Sequence, residues 1–349
     1  MIKKIIISGI LLFTVSVGFA QSDTVKVVGA EEQEAEKAYN SGLQFFQEKK
    51  YQSAIEAFTK TISMKPNFDK AFYNRALTFI EMGKNQEALA DLDRTISLKD
   101  SSDLALVQRA ALLLKSGKGQ EAEKDIKKAL TLNAKNADAF YQYGVIKMTQ
   151  GDYKGALEAY NKAIQINPEF AFAFNDRAGA KKMLKDLDGS IDDYVRASNL
   201  SPKSAFIFNN LGSAYRQKKI TDKAIENYNK AIQLKPDYFV AYNNRGLAKL
   251  DKNDLEGAIA DFNKATQIKQ DYAFAYNNLS AVHYRKKNYQ DAVNDCNKAI
   301  QYNANYGEAY LNRGISKEMM KDFDGACSDF KKANALGINR AKQYFDVCN

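Results

Sequence analysis

The sequence predicts an all-α solenoid of nine helical hairpins, and three observations carry that prediction. Residues 35–340 divide into nine blocks of 34 residues, beginning at Ala35, Asp69, Asp103, Ala137, Ala171, Ala205, Phe239, Ala273 and Gly307. A fixed period of that size is the mark of a stacked repeat. All four prolines, Pro66, Pro168, Pro202 and Pro236, fall at block position 32, where one helix has to end before the next begins. Positions 8 and 20 are small in every block, for example Gly42 with Ala54 and Gly246 with Ala258, which lets two helices approach closely. Ala, Leu, Ile, Lys, Asn and Gln recur without strand-like alternation, so helix is expected throughout.

The chain opens on Met1–Ala20, which runs from Lys3 and Lys4 through an apolar stretch to the small residues Gly18 and Ala20. This is the layout of a secretory signal peptide, with cleavage expected before Gln21. A retained membrane anchor is the weaker reading, because the apolar run is short and a polar Gln-Ser-Asp follows it. No Cys follows the small residues, which argues against a lipid-modified terminus. Residues 21–34 lack helical periodicity, hold Glu31, Glu32 and Glu34 near their end, and read as a flexible leader. The nine blocks follow, and then residues 341–349, whose Tyr344, Phe345 and Val347 suggest a short capping helix over the last hairpin.

Within a block, positions 4, 8 and 11 share one helical face and positions 20, 24 and 27 share another, so each block reads as a hairpin closed along those faces. Position 4 is Phe or Tyr in seven blocks, and position 24 is mostly aromatic. With these slots filled, the sequence resembles the tetratricopeptide-repeat family, as in Ala-Tyr-Asn-Asn-Arg-Gly-Leu-Ala at 241–248 and Ala-Ile-Gln-Leu-Lys-Pro at 231–236. The resemblance covers residues 35–340. It departs from the family pattern in having Phe or Tyr where Trp is common at position 4, and Arg where Leu is common at position 7. The resemblance implies a right-handed superhelical solenoid whose first helices line a concave, ligand-binding face, with function in protein or peptide recognition.

The nine blocks can be compared with one another. Arg stands at position 7 in five (Arg75, Arg109, Arg177, Arg245, Arg313), and all five carry Asp at position 23 (Asp91, Asp125, Asp193, Asp261, Asp329). Where position 7 is Ser41, Tyr143 or Leu211, position 23 is Ala57, Ala159 or Asn227; only Leu279 with Asp295 breaks the pattern. An ion pair between the two helices of one hairpin accounts for this, which makes these arginines structural.

Catalytic and metal chemistry find little support. His283 is the only histidine in the chain, so a His-based metal site or triad cannot be assembled within it. His283 at position 11 and Cys296 at position 24 are expected to touch, as a thiol and its base would, but both slots are core-facing and a packing role is preferred. Asp186-Leu-Asp-Gly189 and Asp322-Phe-Asp-Gly325 look like fragments of a calcium loop, yet they lack its further ligands and recur at positions 16 to 19, where Asp caps a helix. No cofactor is implied. An oxidising compartment would let Cys327 join Cys348, tying the cap down and leaving Cys296 reduced.

The formal charge of +9 falls to +7 once Lys3 and Lys4 are removed, and it is spread over the blocks. Nucleic-acid binding would concentrate it on one face. Chaperone-tail clamps of the family use Lys at position 5, whereas this chain has Tyr, Asn, Val or Leu there.

The binding surface is expected on the stripe beside the core-facing positions, at 2, 5, 6 and 9. Position 5 is Asn in four consecutive blocks (Asn175, Asn209, Asn243, Asn277), position 6 adds Asp176, Asn210, Asn244, Asn278 and Asn312, and position 2 supplies Phe172, Phe206, Val240 and Phe274. Asn is a mediocre helix former, so its repetition calls for a reason. Carboxamides both donate and accept, and a ladder of them can hold a peptide backbone; the resemblance implies the same, since some family members bind peptide this way. With first helices about 8 to 10 Å apart and about 3.3 Å per extended residue, each hairpin would grip roughly three residues. The competing reading is that these Asn cap loops or are solvated.

The leading function is therefore an exported, periplasmic or secreted scaffold that binds an extended segment of a partner protein, in cell-envelope complex assembly. A self-associating structural solenoid is the alternative, and an enzyme is the least favoured class. After signal cleavage no membrane span is expected.

Overall fold

The structure, a computed structural model, describes residues 29–348. The expected signal peptide and residues 21–28 of the leader lie outside the described residues. Every described element is helical, and consecutive helices pair as α1 (Ala30–Gln47) with α2 (Tyr51–Met64), α3 (Asp69–Glu81) with α4 (Asn85–Leu98), α5 (Asp103–Lys115) with α6 (Gly119–Leu132), and α7 (Ala137–Thr149) with α8 (Tyr153–Ile166). The series continues with α9 (Ala171–Met183) and α10 (Leu187–Leu200), α11 (Ala205–Gln217) and α12 (Thr221–Leu234), α13 (Phe239–Asp251) and α14 (Leu255–Ile268), α15 (Ala273–Arg285) and α16 (Tyr289–Tyr302), and α17 (Gly307–Met319) and α18 (Phe323–Ala335). A 3-10 segment, η1 (Asn339–Cys348), closes the series. The chain forms two compact units, one up to Lys99 and one from Asp100.

Each turn between the helices of a hairpin is made the same way. The residue at position 15 takes a left-handed conformation in all nine: Lys49, Gly83, Gly117, Gly151, Lys185, Lys219, Asn253, Lys287 and Lys321. That residue ends the first helix and releases the chain into the second. Asp at position 16 then caps the second helix in hairpins 4, 5, 7 and 9, where Asp152, Asp186, Asp254 and Asp322 accept from the amides of Gly155, Gly189, Gly257 and Gly325. Capping is thus what Asp186 and Asp322 do in the two fragments that look like calcium loops.

Inside a hairpin the core is a ring laid on a bare backbone. Phe58, Tyr160, Tyr228, Phe262 and Phe330, all at position 24, are essentially fully buried. Each faces a Gly at position 8, where an added Cβ would come within 2.4–2.8 Å of the ring. Position 4 departs from the expectation that it points into the hairpin. Phe140, Phe208, Tyr242, Tyr276 and Tyr310 are only half-buried, and where position 7 is Arg its guanidinium lies against the position-4 ring, 5.1 Å away for Arg177 over Phe174 and 5.3 Å for Arg313 over Tyr310. Position 3 does the deeper packing: Ala71, Ala105, Ala139, Ala173, Ile207, Ala241, Ala275 and Ala309 have no exposed surface. Ala173 faces the previous hairpin, where with Ala180 it completes the cluster around Tyr141, Ala156 and Tyr160.

One end departs from expectation. The helix α1 starts at Ala30, inside the segment expected to be flexible. Its acids sit in or just after the first turn, where they complement the helix dipole, and Glu32 and Glu34 pair with Lys65, just past α2, and with Lys60 of α2. At the other end the expected short capping helix is the 3-10 segment η1, beginning at Asn339. Ala341 is fully buried, and the Tyr344 ring stacks on Phe330 at 4.9 Å. Cys327 of α18 is bonded to Cys348, with 5.0 Å between their Cα atoms.

Candidate binding face

Within the unit from Asp100 onward, the first helices touch each other along the series: α5 with α7, α7 with α9, α11 with α13, α13 with α15, and α15 with α17. No pair of second helices makes comparable contact. A row whose first helices crowd and whose second helices spread is curved toward the first helices, which places positions 2, 5, 6 and 9 on its inner side.

The asparagines at positions 5 and 6 are wired across that inner side. Asn175, Asn209, Asn243 and Asn277 are buried. Their side-chain carbonyls accept from the position-6 amide of the following hairpin: Asn210 to Asn175 at 3.1 Å, Asn244 to Asn209 at 2.9 Å, Asn278 to Asn243 at 2.8 Å and Asn312 to Asn277 at 2.9 Å. The position-5 carbonyls, expected on the peptide-binding stripe, are thus engaged between hairpins. Asn175, Asn209, Asn243 and Asn277 lie between helices and join one hairpin to the next, since a carboxamide removed from water needs a partner and finds it in the neighbouring repeat. The position-6 side chains are half-buried. Their amides are engaged, while the carboxamide oxygens of Asn210, Asn278 and Asn312 have no donor among the described residues.

The position-2 rings run beside this row. Phe172 and Phe206 are half-buried and stack at 5.9 Å with their planes 2° apart. Phe274 contacts Tyr272 at 5.6 Å and Tyr306 at 5.1 Å. Hairpins 5 to 8 thus each show one polar group at position 6 and one apolar group at position 2 to the inner side.

The five Arg-Asp pairs are two-point contacts. Arg75, Arg109, Arg177, Arg245 and Arg313 each donate through Nε and Nη2 to Asp91, Asp125, Asp193, Asp261 and Asp329, at 2.6–2.9 Å. Sequence reasoning missed two further partners. The third donor of Arg177, Arg245 and Arg313 reaches back to Asn161, Asn229 and Asn297 of the preceding hairpin, and Lys181, Lys249 and Lys317 at position 11 add a second cation to the same Asp. The exception resolves on the second of these. His283 occupies position 11 in hairpin 8, and its Nδ1 lies 2.7 Å from Asp295. The signal is in the sequence, since position 11 is Lys in three of the five hairpins that carry the Arg and Asp, although Lys147 of hairpin 4 occupies the same slot without an Asp and pairs with Glu123.

Cys296, the other half of the expected His–Cys contact, is fully buried, and burial pushes its thiol up to about 12. A nucleophilic thiol needs the opposite shift. No group of three or more His, Cys, Asp or Glu side chains among the described residues is placed to hold a metal ion, and no described helix is long and apolar enough to cross a membrane.

A curved row of helical hairpins with a lined inner face and structural ion pairs defines a helical-repeat protein of the scaffold type. Tetratricopeptide repeat models match residues 137–170 and 273–306, and a TPR repeat model matches 212–251 and 246–287. The chain is a member of the tetratricopeptide-repeat family. No curated protein matches it. Among solved structures, a tetratricopeptide repeat protein from Parabacteroides merdae is 21% identical, with 72% of this chain and 99% of that one aligned and a TM-score of 0.56. A chain of the APC/C hetero-tetramer Cut9-Hcn1 is 14% identical over 91% of this chain and 76% of its own, at 0.61. Pseudomonas aeruginosa pilF is 20% identical over 60% and 96%, at 0.53. At these identities the likeness is one of fold.

Proposed function

We propose that the inner face of hairpins 5 to 9 binds an extended segment of a partner protein. The observation that carries this reading is the pairing of a half-buried position-6 carboxamide with an apolar position-2 side chain in hairpins 6, 7 and 8, extended by Phe172 in hairpin 5 and Asn312 in hairpin 9. Carboxamide oxygens can accept from the backbone amides of an extended chain, and the rings supply apolar contact. The interhelix bonds preorganise the row, so little ordering is left for the moment of binding. Because the position-5 asparagines are occupied, the segment is held by one carboxamide per hairpin.

The reading extends to an exported chain acting in assembly of an envelope complex. The signal-like layout of Met1–Ala20 supports export, and so does the Cys327–Cys348 bond, which an oxidising compartment maintains. Self-association end to end is less favoured, because η1 covers the apolar face of the last hairpin.

A photoreactive benzophenone side chain placed at Phe206 or Phe274 tests the face. Adducts with one partner protein should form from these positions and be absent from Lys162 and Lys264, which are exposed on second helices. Equal labelling from both sets would move the site elsewhere.

A further inference from the structure

The position-6 row carries one charge. Hairpins 6 to 9 have Asn there, and hairpin 5 has Asp176, which accepts from the Tyr141 hydroxyl at 2.8 Å and from the Asn175 amide at 2.8 Å. Packing does not require that charge. At the first junction of the chain the same contact is made by a neutral pair, with Asn74 donating to the Tyr39 hydroxyl at 2.7 Å.

Burial raises the pKa of Asp176, and only hydrogen bonds from Tyr141 and Asn175 oppose it; no Lys or Arg does. Asp138, at position 2 of hairpin 4, is likewise raised by desolvation with no basic partner. Asp138 is exposed and Asp176 keeps accessible surface, so both carboxylates can be reached from solvent. Along α9 the nearer bases, Arg177 and Lys181, are committed to Asp193, and Lys182, six residues beyond Asp176, forms no ion pair among the described residues.

Two further groups converge on Asp176. Tyr160 and Tyr194 are 1% and 3% exposed, and burial first, with the charge of Asp176 after it, raises the pKa of both hydroxyls. Neither hydroxyl has a hydrogen-bond partner among the described residues, and neither is sealed from solvent. Above one of them the wall is missing. Gly179, at position 9 and one turn beyond Asp176, has no side chain, and a Cβ there would sit 3.9 Å from the Tyr194 hydroxyl. Other hairpins fill this position with Val145, Ser213 or Leu247.

We propose that the Gly179 notch, with Asp176 as counter-charge and the Tyr160 and Tyr194 hydroxyls as acceptors, receives a Lys or Arg side chain of the bound segment. This rests on the inner face being the binding face. A cationic head group satisfies a carboxylate that no base pairs with and can donate to the two phenol oxygens as well. The stacked Phe172 and Phe206 rings provide a π face beside it. The chain carries a formal +9 and repels cations in general, so any attraction to one has to be local.

Titration calorimetry of the full chain with an acetylated, amidated hexa-arginine peptide, against the citrulline counterpart, tests the site. The arginine peptide should bind and the citrulline peptide should not. Asp176→Asn should weaken binding about tenfold or more, the worth of one charge-assisted contact, while Asp222→Asn on α12 changes nothing. The Asn variant reproduces what hairpins 6 to 9 carry, and Gly179→Leu, which copies Leu247 of hairpin 7, closes the notch without touching the carboxylates and should weaken binding as well. No binding by the wild-type chain, or equal binding by both variants, overturns the proposal. Benzophenone adducts from Phe206 and Phe274 are independent of that outcome, so the cation site can fail while the binding face stands.

Discussion

At the residue scale, the packing of each hairpin is decided by what faces the position-24 side chain. Every Gly at position 8 lies under a Phe or Tyr, whereas Ala76 and Ala110 lie opposite the smaller Leu92 and Ile126. Gly246→Ala therefore drives a methyl into Phe262 and should cost about 1–3 kcal/mol, as overpacking does. Adding Phe262→Leu, the pair used by hairpin 2, should recover most of the loss in a urea melt; no recovery would mean the clash is elsewhere. The Arg245–Asp261 pair makes a second residue-scale prediction. Arg245→Leu should destabilise by about 2–4 kcal/mol, toward the low side for a buried pair because Lys249 stays with Asp261. Asp261→Ala added to it should recover part of that, but not the bond from Arg245 to Asn229 of the previous hairpin. Strictly additive losses in the double-mutant cycle would show that the two side chains act independently.

At the scale of the element, the hairpin was legible because its signals are backbone signals. Proline at position 32, Asp at position 16 and small residues at positions 8 and 20 each act within one block, where a 34-residue register aligns them. Contacts between blocks were harder to read. Asn209 looks like a binding residue in its own block, and only the register of α11 against α13 shows that Asn244 reaches its carbonyl, 35 residues away. Alanine at position 3 recurs in seven blocks and was overlooked because Ala carries little hydrophobic signal, although it sets how closely hairpins stack. The turn residue at position 15 yields an element-scale prediction. Lys49, Lys185, Lys219, Lys287 and Lys321 hold a left-handed conformation that costs an L-residue about 1–2 kcal/mol. Replacing each by Gly, as hairpins 2, 3 and 4 already do, should add roughly 0.5–1 kcal/mol per site after the greater freedom of unfolded Gly is counted. A thermal melt of the fivefold variant should rise; an unchanged or lower midpoint would mean that these turns are not strained.

At the scale of the molecule, stability in a stacked repeat is a sum over hairpins and their interfaces, so the ends need their own closure. Here η1 supplies it at one end, and the Cys327–Cys348 bond closes a loop with a sequence separation of 21, worth about 3 kcal/mol in the chain-entropy model. Thiol counting on the denatured, unreduced protein should find one free thiol, Cys296; three would remove the bond from the account of the cap. The inner face is the molecule's functional claim, and its most direct measurement is a map of where a bound partner lies. Benzophenone side chains placed one at a time at Phe172, Phe206, Val240 and Phe274 should give adducts in order along a single partner segment, about three residues apart because an extended chain advances about 3.3 Å per residue between helices about 8 to 10 Å apart. Adducts scattered over distant parts of the partner, or in no consistent order, would contradict an extended segment held across the first helices.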